Sequence, residues 1–300
     1  MIDHADIDGD KKTATIRQLR REVGYGCPIC RNPFLTWHHF DPPFHEEKHW
    51  RPEGMIALCL QHHAAADSKG GRPGAYTVQQ LRELKNANYS SQDVKGSFPV
   101  LQIQKKMLIR VGGVYTDKSS PIISINGEPQ ISISVGDEDM LNLSFELRNK
   151  DDHVLLKMEN NWLTAYPNHL HDMTAEPKTN DVTVWLGKRD VGLKFSFKWI
   201  AMEELEGMLE SDSRRASAAA LRSLGGIGSL EGTGSDRLGD RIKQWARENV
   251  ISDGLVPLLN FHEMSLYYRG RKALIKDGIA DSIYYSFLHD LVGGCVDIRM

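Results

Sequence analysis

The stretch from Cys27 to His63 constrains the fold more than any other part of the chain, because it carries two pairs of metal-ligand residues. Two residues separate Cys27 from Cys30, and two residues separate Cys59 from His62. This spacing lets a tight turn point both side chains at one ion, at about 2.3 Å for sulfur and about 2.0 Å for imidazole nitrogen. The two pairs, or knuckles, together predict a structural zinc site of tetrahedral geometry.

The segment between the knuckles is too long for a simple zinc finger, at 28 residues. Its length predicts a hairpin and a crossing loop, with a helix that begins at the second knuckle. Three histidines in or beside this segment, His38, His39 and His63, remain after the zinc ligands are assigned. Since a four-coordinate zinc cannot accept them, they are candidates for a second, open metal site.

The motifs CPIC, WHHFDPP and RPEGMIALCLQHH resemble those of the HNH endonucleases, whose ββα-metal motif is often held by a zinc ion between two such knuckles. The resemblance covers residues 20–88 only. It implies that His39 is the general base. It also implies that His38, where the family often has Asp, and His63 are ligands of a catalytic Mg²⁺ or Mn²⁺ ion.

Gly54 is the position at which the chain departs from the HNH pattern. The family usually has Asn here, five residues before the second-knuckle cysteine, and this Asn commonly orients the base or helps to hold the metal. The replacement of this Asn by Gly54 therefore affects the expected catalytic turnover rather than the fold. Asp41, His45 and His49 are the residues that could compensate, although both histidines are typical of a loop.

These residue types suit phosphodiester hydrolysis. A neutral imidazole accepts a proton from water near neutral pH, and a divalent cation neutralises charge on the phosphate. The resemblance therefore implies a metal-dependent endonuclease acting on nucleic acid, DNA in the first place, with an architecture like that of bacterial-defence nucleases. The alternative is an inactive HNH-like zinc module that binds nucleic acid or protein, with the function carried by the β domain.

Composition and charge limit the partners and the cell compartment expected for this protein. The net charge of −3 argues against broad nonspecific DNA binding, which needs clustered Lys and Arg. Arg17, Arg20 and Arg21 lie at helix spacing and could either meet a phosphate backbone or form a solvated face. The absence of a long apolar run and of an apolar leader predicts a cytoplasmic protein that does not bind membrane. Cys295, without an obvious partner, fits a reducing compartment.

Hydrophobic periodicity divides the chain into three regions of an α+β multidomain protein. Residues 1–90 form the HNH-like zinc module, and 89–97 read as a linker. Residues 98–200 alternate apolar and polar side chains, as in MLNLSFELR and LKFSFKW, and predict an antiparallel β meander or sandwich. Further strands are expected near 107–114, 121–125, 130–135, 153–158 and 181–187, with turns at 126–127 and 149–152.

The region 202–300 is predicted to be helical, and it could pack with the β domain as one unit. The segments EELEGMLE, RASAAALRSL and DRLGDRIKQWAREN are the expected helices, the last one capped by Ser235 or Asp236. A helical tail that groups Tyr284, Tyr285 and Phe287 is a candidate surface for homo-oligomer formation.

Overall fold

The computed structural model of the protein describes residues 4–67, 74–89, 91–97, 107–111, 114–116, 121–136, 141–176, 180–223, 235–248, 254–268, 271–276, 279–281, 285–286 and 296–298. In these ranges the fold is mixed α+β, as predicted, and strands outnumber helices. Within the same ranges, no helix is both long enough and apolar enough to cross a membrane.

The N-terminal region consists of one hairpin and three helices. These elements are α1 (His4–Glu22), β1 (Leu35–His39), β2 (Met55–Cys59), α2 (Leu60–Ala66) and α3 (Val78–Asn86). The strands pair antiparallel, with Leu35 opposite Cys59 and His39 opposite Met55. Since α2 begins directly after Cys59, the predicted hairpin and the helix at the second knuckle are confirmed, while membership of the HNH family stays a prediction.

Strand β2 forms the centre of the N-terminal core, because all five of its residues are buried. Leu19 of α1 and Leu81 of α3 pack in the same apolar cluster as Ile56 and Leu58. Helix α3 begins at a capping box, in which Thr77 and Gln80 exchange side chain–backbone hydrogen bonds of 3.2 and 2.8 Å. The core therefore holds the hairpin between α1 and α3.

Beyond this hairpin, sixteen strands within the described ranges form two sheets. The first has the spatial order β17 (Tyr285–Ser286), β18 (Val296–Ile298), β6 (Pro121–Ile125), β7 (Glu128–Val135), β8 (Leu141–Arg148), β9 (Val154–Glu159), β10 (Trp162–Ala165) and β3 (Val94–Ser97). The second has the order β11 (Asp172–Glu176), β12 (Asp181–Gly187), β13 (Asp190–Ala201), β14 (Leu255–Tyr268), β15 (Arg271–Lys276) and β16 (Ile279–Asp281). Strand β4 (Leu108–Val111) pairs parallel with β14, and β5 (Val114–Thr116) pairs with β4.

The inner faces of the two sheets share one apolar cluster, so the β region is a sandwich. The alternating apolar residues of β8 are buried in it, as predicted. Phe145 of β8 meets Phe195 of β13 edge to face, with ring centroids 5.8 Å apart. Trp199, predicted to continue the apolar set of β13, is instead 37% exposed.

Local turn signals in the sequence match the structure. Asn126 and Gly127, both with positive φ (50° and 80°), connect β6 to β7 at the predicted hairpin turn. The predicted linker 89–97 is wrong at its end, because Val94–Ser97 is strand β3. Its Val94 is fully buried and pairs with Ala165. A single apolar residue in a polar segment was too weak a pattern to indicate this edge strand.

The prediction of a helical region through residue 300 is correct only for α4 (Met202–Ser223) and α5 (Ser235–Glu248). From Leu255 the described residues form strands, and the predicted helical tail is wrong. Strand β14 pairs with β13, β15 and β4 and is buried on both faces, so its apolar run lacks strand alternation. Tyr285 lies in β17, whereas Tyr284, Phe287 and Cys295 lie outside the described residues.

Candidate functional site

Among the described residues, one group of potential ligands has its atoms close enough together to hold a metal ion, namely the predicted set Cys27, Cys30, Cys59 and His62. The ligand atoms lie within 4.8 Å of one another. The Sγ atoms of Cys30 and Cys59 are 3.7 Å apart, and Cys27 Sγ is 3.6 Å from His62 Nδ1. The corners of a tetrahedron with zinc bond lengths are about 3.6–3.8 Å apart. The Cys₃His set could therefore hold a zinc ion.

Burial makes the thiolate forms of these cysteines unfavourable unless a positive charge lies beside them. It raises the pKa of Cys30 to about 12 and also raises the pKa of Cys59, and the neighbouring Cys27 adds to both shifts. Thiolates packed this closely repel one another and are poorly hydrated. A coordinated divalent cation offsets both costs, which couples metal binding to the fold of the two knuckles.

Arg31 holds the backbone of the first knuckle. Its guanidinium donates hydrogen bonds of 2.9–3.0 Å to the carbonyl oxygens of Val23, Gly24 and Gly26. Its own backbone has a φ of 62° and donates to Cys27 O at 2.8 Å. No sequence motif indicated this role of Arg31, and the only cue to it is that Arg31 directly follows the cysteine pair.

His38 on β1 and His63 on α2 face each other, as the second predicted site requires. Their ring centroids are 5.1 Å apart and the rings are inclined by 70°. Burial lowers the pKa of His38 to about 4 and also lowers that of His63, so both imidazoles are neutral. The negative charge of Asp67, at the C-terminal end of α2, opposes this lowering of both pKa values. Asp67 was missed from the sequence, although it follows His63 by one helical turn.

Thr36 determines which nitrogen of His63 carries the proton. The Thr36 hydroxyl donates its only hydrogen to Leu58 O at 3.0 Å. It lies 2.7 Å from His63 Nδ1 and must therefore accept a hydrogen bond from Nδ1–H. Nε2 of His63 then holds the lone pair, as a metal ligand supported by an outer hydrogen bond does.

His39 lies in a different environment from His38, because successive strand residues point to opposite faces. Its ring is 4.8 Å from that of Phe44 and 5.6 Å from that of Trp50. His39 Nε2 lies 2.8 Å from His49 O, and since a carbonyl only accepts, Nε2 carries the hydrogen. Nδ1 holds the lone pair, and burial lowers the pKa of the ring.

Gly54 occupies a position where no side chain fits. A Cβ atom there would lie 1.9 Å from Asp41 O and 3.1 Å from Cε1 of His49. His49 is only 6% exposed, with Nε2 donating to Pro42 O at 3.0 Å and Nδ1 accepting from Arg51 N at 3.1 Å. His49 thus fixes the loop between β1 and β2, and its own carbonyl binds His39.

The side chains of the other two residues considered as substitutes for the missing Asn make other contacts. Asp41 is exposed and forms an ion pair with Arg82 of α3. His45 is exposed and lies 3.8 Å from the carboxylate of Glu46. Of the three candidates, His49 alone contacts His39, with ring centroids 5.0 Å apart.

The three arginines of α1 contact the second sheet. Asp172 of β11 binds Arg17 at 3.3 Å and Arg20 at 3.1 Å, and Arg21 donates to His171 O at 3.4 Å. Tyr25 also donates to His171 O, at 3.1 Å. Arg17 and Arg21 are exposed, as on a solvated face, whereas Arg20 is mostly buried and attaches α1 to the sandwich.

Comparisons with protein-family models, with curated proteins and with solved structures gave no match to this chain. Its chemistry is therefore inferred from the geometry of the zinc-type cage and of the histidines beside it.

Proposed function

We propose that the protein is an HNH-type, metal-dependent endonuclease that hydrolyses phosphodiester bonds of nucleic acid, with DNA as the favoured substrate. The observation that carries the proposal is the tautomer state of two histidines. His39 has its lone pair on Nδ1 because Nε2–H is donated to a carbonyl, and His63 has its lone pair on Nε2 because Nδ1–H is donated to Thr36. A general base and a metal ligand each require one ring nitrogen with a free lone pair, and these tautomers leave Nδ1 of His39 and Nε2 of His63 for those roles.

In this proposal each residue has a separate role. His39 Nδ1 accepts the proton of the attacking water, and the His49 carbonyl keeps the ring in the required orientation. His38 and His63 would hold the catalytic Mg²⁺ or Mn²⁺, with the negative charge of Asp67 acting on both rings. A divalent ion there would supply Lewis acidity that neutralises charge on the phosphate and on the departing oxygen.

Two structural features favour the roles given to the zinc cage and to His49. The Cys₃His cage joins the first knuckle, which precedes β1, to the end of β2 and the start of α2, so a zinc ion in it would fix the position of His63 relative to β1. His49 takes the orienting role that the family assigns to Asn at position 54, since it occupies the space beside Gly54 and binds the base through its carbonyl.

The second candidate is a zinc module without catalytic activity that binds nucleic acid or protein. The observation that favours it is the alternation on β1, which points His38 and His39 to opposite faces. In addition, the Cys₃His cage is the only ligand group of three or more found among the described residues.

A cleavage assay separates the two candidates. Supercoiled plasmid and RNA are incubated with Mg²⁺ or Mn²⁺ and with wild type, His39→Ala or the control His45→Ala. Because general base catalysis contributes about 10²–10⁴-fold, we expect His39→Ala to lose at least 100-fold while His45→Ala, exposed on the loop that follows β1, retains activity. Full activity in His39→Ala would refute the assigned base.

Metal titration gives an independent result. For the nuclease we expect one zinc per chain and a second site for Mn²⁺ in calorimetry, lost in His63→Ala but retained in His45→Ala. A chain that binds one zinc, no Mn²⁺ and cleaves neither substrate is the second candidate.

A further inference from the structure

A row of polar side chains crosses the second sheet on the side facing α4. The strand register places Asp181 opposite Ser196, Ser196 opposite Asn260, Asn260 opposite Arg110, and Arg110 opposite Tyr115. The last four are between 1% and 6% exposed. Burying so many polar groups is costly unless each finds a partner, so their bonding pattern carries information.

Asp212 of α4 binds one end of this row. Arg110 donates two hydrogen bonds to its carboxylate, at 2.8 and 2.6 Å, and Tyr115 donates a third at 2.8 Å. A further N–H of Arg110 donates to Asn260 Oδ1 at 3.0 Å. These bonds use three of the five N–H groups of the guanidinium.

The chain of hydrogen bonds extends from Asn260 through His262 to Ser196, and the donor of each bond can be assigned. Because the amide oxygen of Asn260 faces Arg110, its nitrogen faces His262 Nδ1 at 3.3 Å, and Nδ1 must accept. His262 Nε2 then carries the hydrogen and donates to Ser196 Oγ at 2.8 Å. The hydroxyl hydrogen of Ser196 remains as a donor. This is the reverse of a hydrolytic triad, in which serine donates to the imidazole, so the row is suited to binding and not to nucleophilic attack.

The row opens into a cavity of about 290 Å³ between β13, β14, β4 and α4. Its lining includes Arg110, Ser196, Asn260 and His262, and its exposed members are Lys198 and Glu204. Ile200, Leu258 and Met208 provide an apolar wall. The volume is near the lower end of the range for small-molecule sites, about 300–1,000 Å³, which suits one small ligand.

The groups that remain available are mainly hydrogen-bond donors. They are the Ser196 hydroxyl, the Lys198 ammonium and two N–H groups of Arg110. Burial, Lys194, Arg110 and Lys198 together lower the pKa of His262 to about 4, against the opposing effect of Asp181. Asp212 pairs with Arg110, so the ammonium of Lys198 is the lining cation left to attract an anionic group, with the Glu204 carboxylate at the exposed side of the cavity.

We propose that this cavity binds a small metabolite with an anionic oxygen group, a carboxylate or a phosphate. The anionic group accepts hydrogen bonds from Ser196 and Lys198, and the remainder of the ligand lies along the apolar wall beside Glu204. Since α4 supplies Asp212 and part of the lining, occupancy stabilises the packing of α4 on the sheet. This site is independent of the histidines of the N-terminal module.

Calorimetric titration with inorganic phosphate, succinate and a nucleoside monophosphate tests the proposal. We expect at least one probe to bind with a stoichiometry of one per chain and to shift the ring resonances of His262. Affinity should fall at least tenfold in Lys198→Gln and in Ser196→Ala. Lys188→Gln is the matched control, because it removes the same charge from an exposed position in the turn between β12 and β13, and should change affinity less than twofold.

The outcomes are distinct. Saturable binding of phosphate and the nucleotide but not of succinate identifies a phosphate ligand, and the opposite preference identifies a carboxylate. Failure of all three probes to saturate overturns the proposal, and so does an equal loss in Lys188→Gln and Lys198→Gln, which would indicate surface charge alone.

Discussion

The ion pair between Arg20 and Asp172 determines how firmly α1 is attached to the sandwich, and Asp172→Asn removes its charge with little change of shape. The two side chains are 11% and 6% exposed, so Arg20 would keep a poorly hydrated charge. Loss of one partner from a buried pair costs about 3–5 kcal/mol. We expect about 3 kcal/mol, because the bonds of 3.1 and 3.3 Å are longer than the about 2.8 Å of a strong charge-assisted bond.

Calorimetric melting measures this loss. With an unfolding entropy of about 2.1 cal/mol/K per residue over 300 residues, 3 kcal/mol corresponds to a fall in Tm of about 5 °C. The control Arg17→Gln removes the other arginine bound to Asp172. Its side chain is 57% exposed, so the cost should stay below about 1 kcal/mol.

A double variant separates lost charge from lost packing. In Arg20→Met with Asp172→Leu no charge remains buried, and this variant should be more stable than Asp172→Asn. Equal shifts for Asp172→Asn and Arg17→Gln would refute the reasoning. An Arg20→Met variant with unchanged Tm and weaker nucleic-acid binding would instead show that Arg20 contacts phosphate.

Three further predictions follow from individual residues. Cys27→Ser should lose zinc and unfold the N-terminal region, at a cost on the order of 10 kcal/mol, and a variant with unchanged zinc content and melting curve would show that the ligand assignment is wrong. Gly54→Asn, although it introduces the usual HNH residue, should lose about 1–3 kcal/mol in urea denaturation and gain no nuclease activity, because its Cβ meets Asp41 O; increased cleavage would contradict this. Burial lowers the pKa of His262 from 6.5 in the unfolded chain to about 4 in the folded chain. Between these pH values the unfolded state binds a proton that the folded state does not. The contribution of neutral His262 to stability is therefore complete above pH 6.5 and is lost as the pH falls towards 4. Allowing for partial exposure, His262→Gln should remove on the order of 1–2 kcal/mol of that pH dependence, and an unaltered pH profile would count against it.

Features encoded by short-range spacing were predictable. The two knuckles, the turn at Asn126-Gly127, the capping box at Thr77 and the alternating strand β8 each depend on residues within one turn or one strand. Their geometry follows from local backbone conformation, and a single sequence contains it.

Features that depend on a distant partner were not predictable. Strand β14 was predicted as part of a helical region, because burial between β13, β15 and β4 removes the alternation that would have indicated a strand. Arg20 read as a solvated or phosphate-binding residue because its partner, Asp172, is 152 residues away. Asp67 follows His63 by one helical turn, but its charge acts on His38 only because α2 packs on β1.

The sequence by itself determined that four ligands with zinc spacing exist and that three histidines lie around them, since both facts are matters of residue type and separation. Tertiary structure alone decided which nitrogen of each histidine carries a proton, because Thr36 and the carbonyl of His49 reach those rings only in the folded chain. It also decided that Gly54 has no room for a side chain and that His49 occupies the space beside it. Hydrogen-bond direction and excluded volume arise from contacts between separate elements, and no local pattern specifies them.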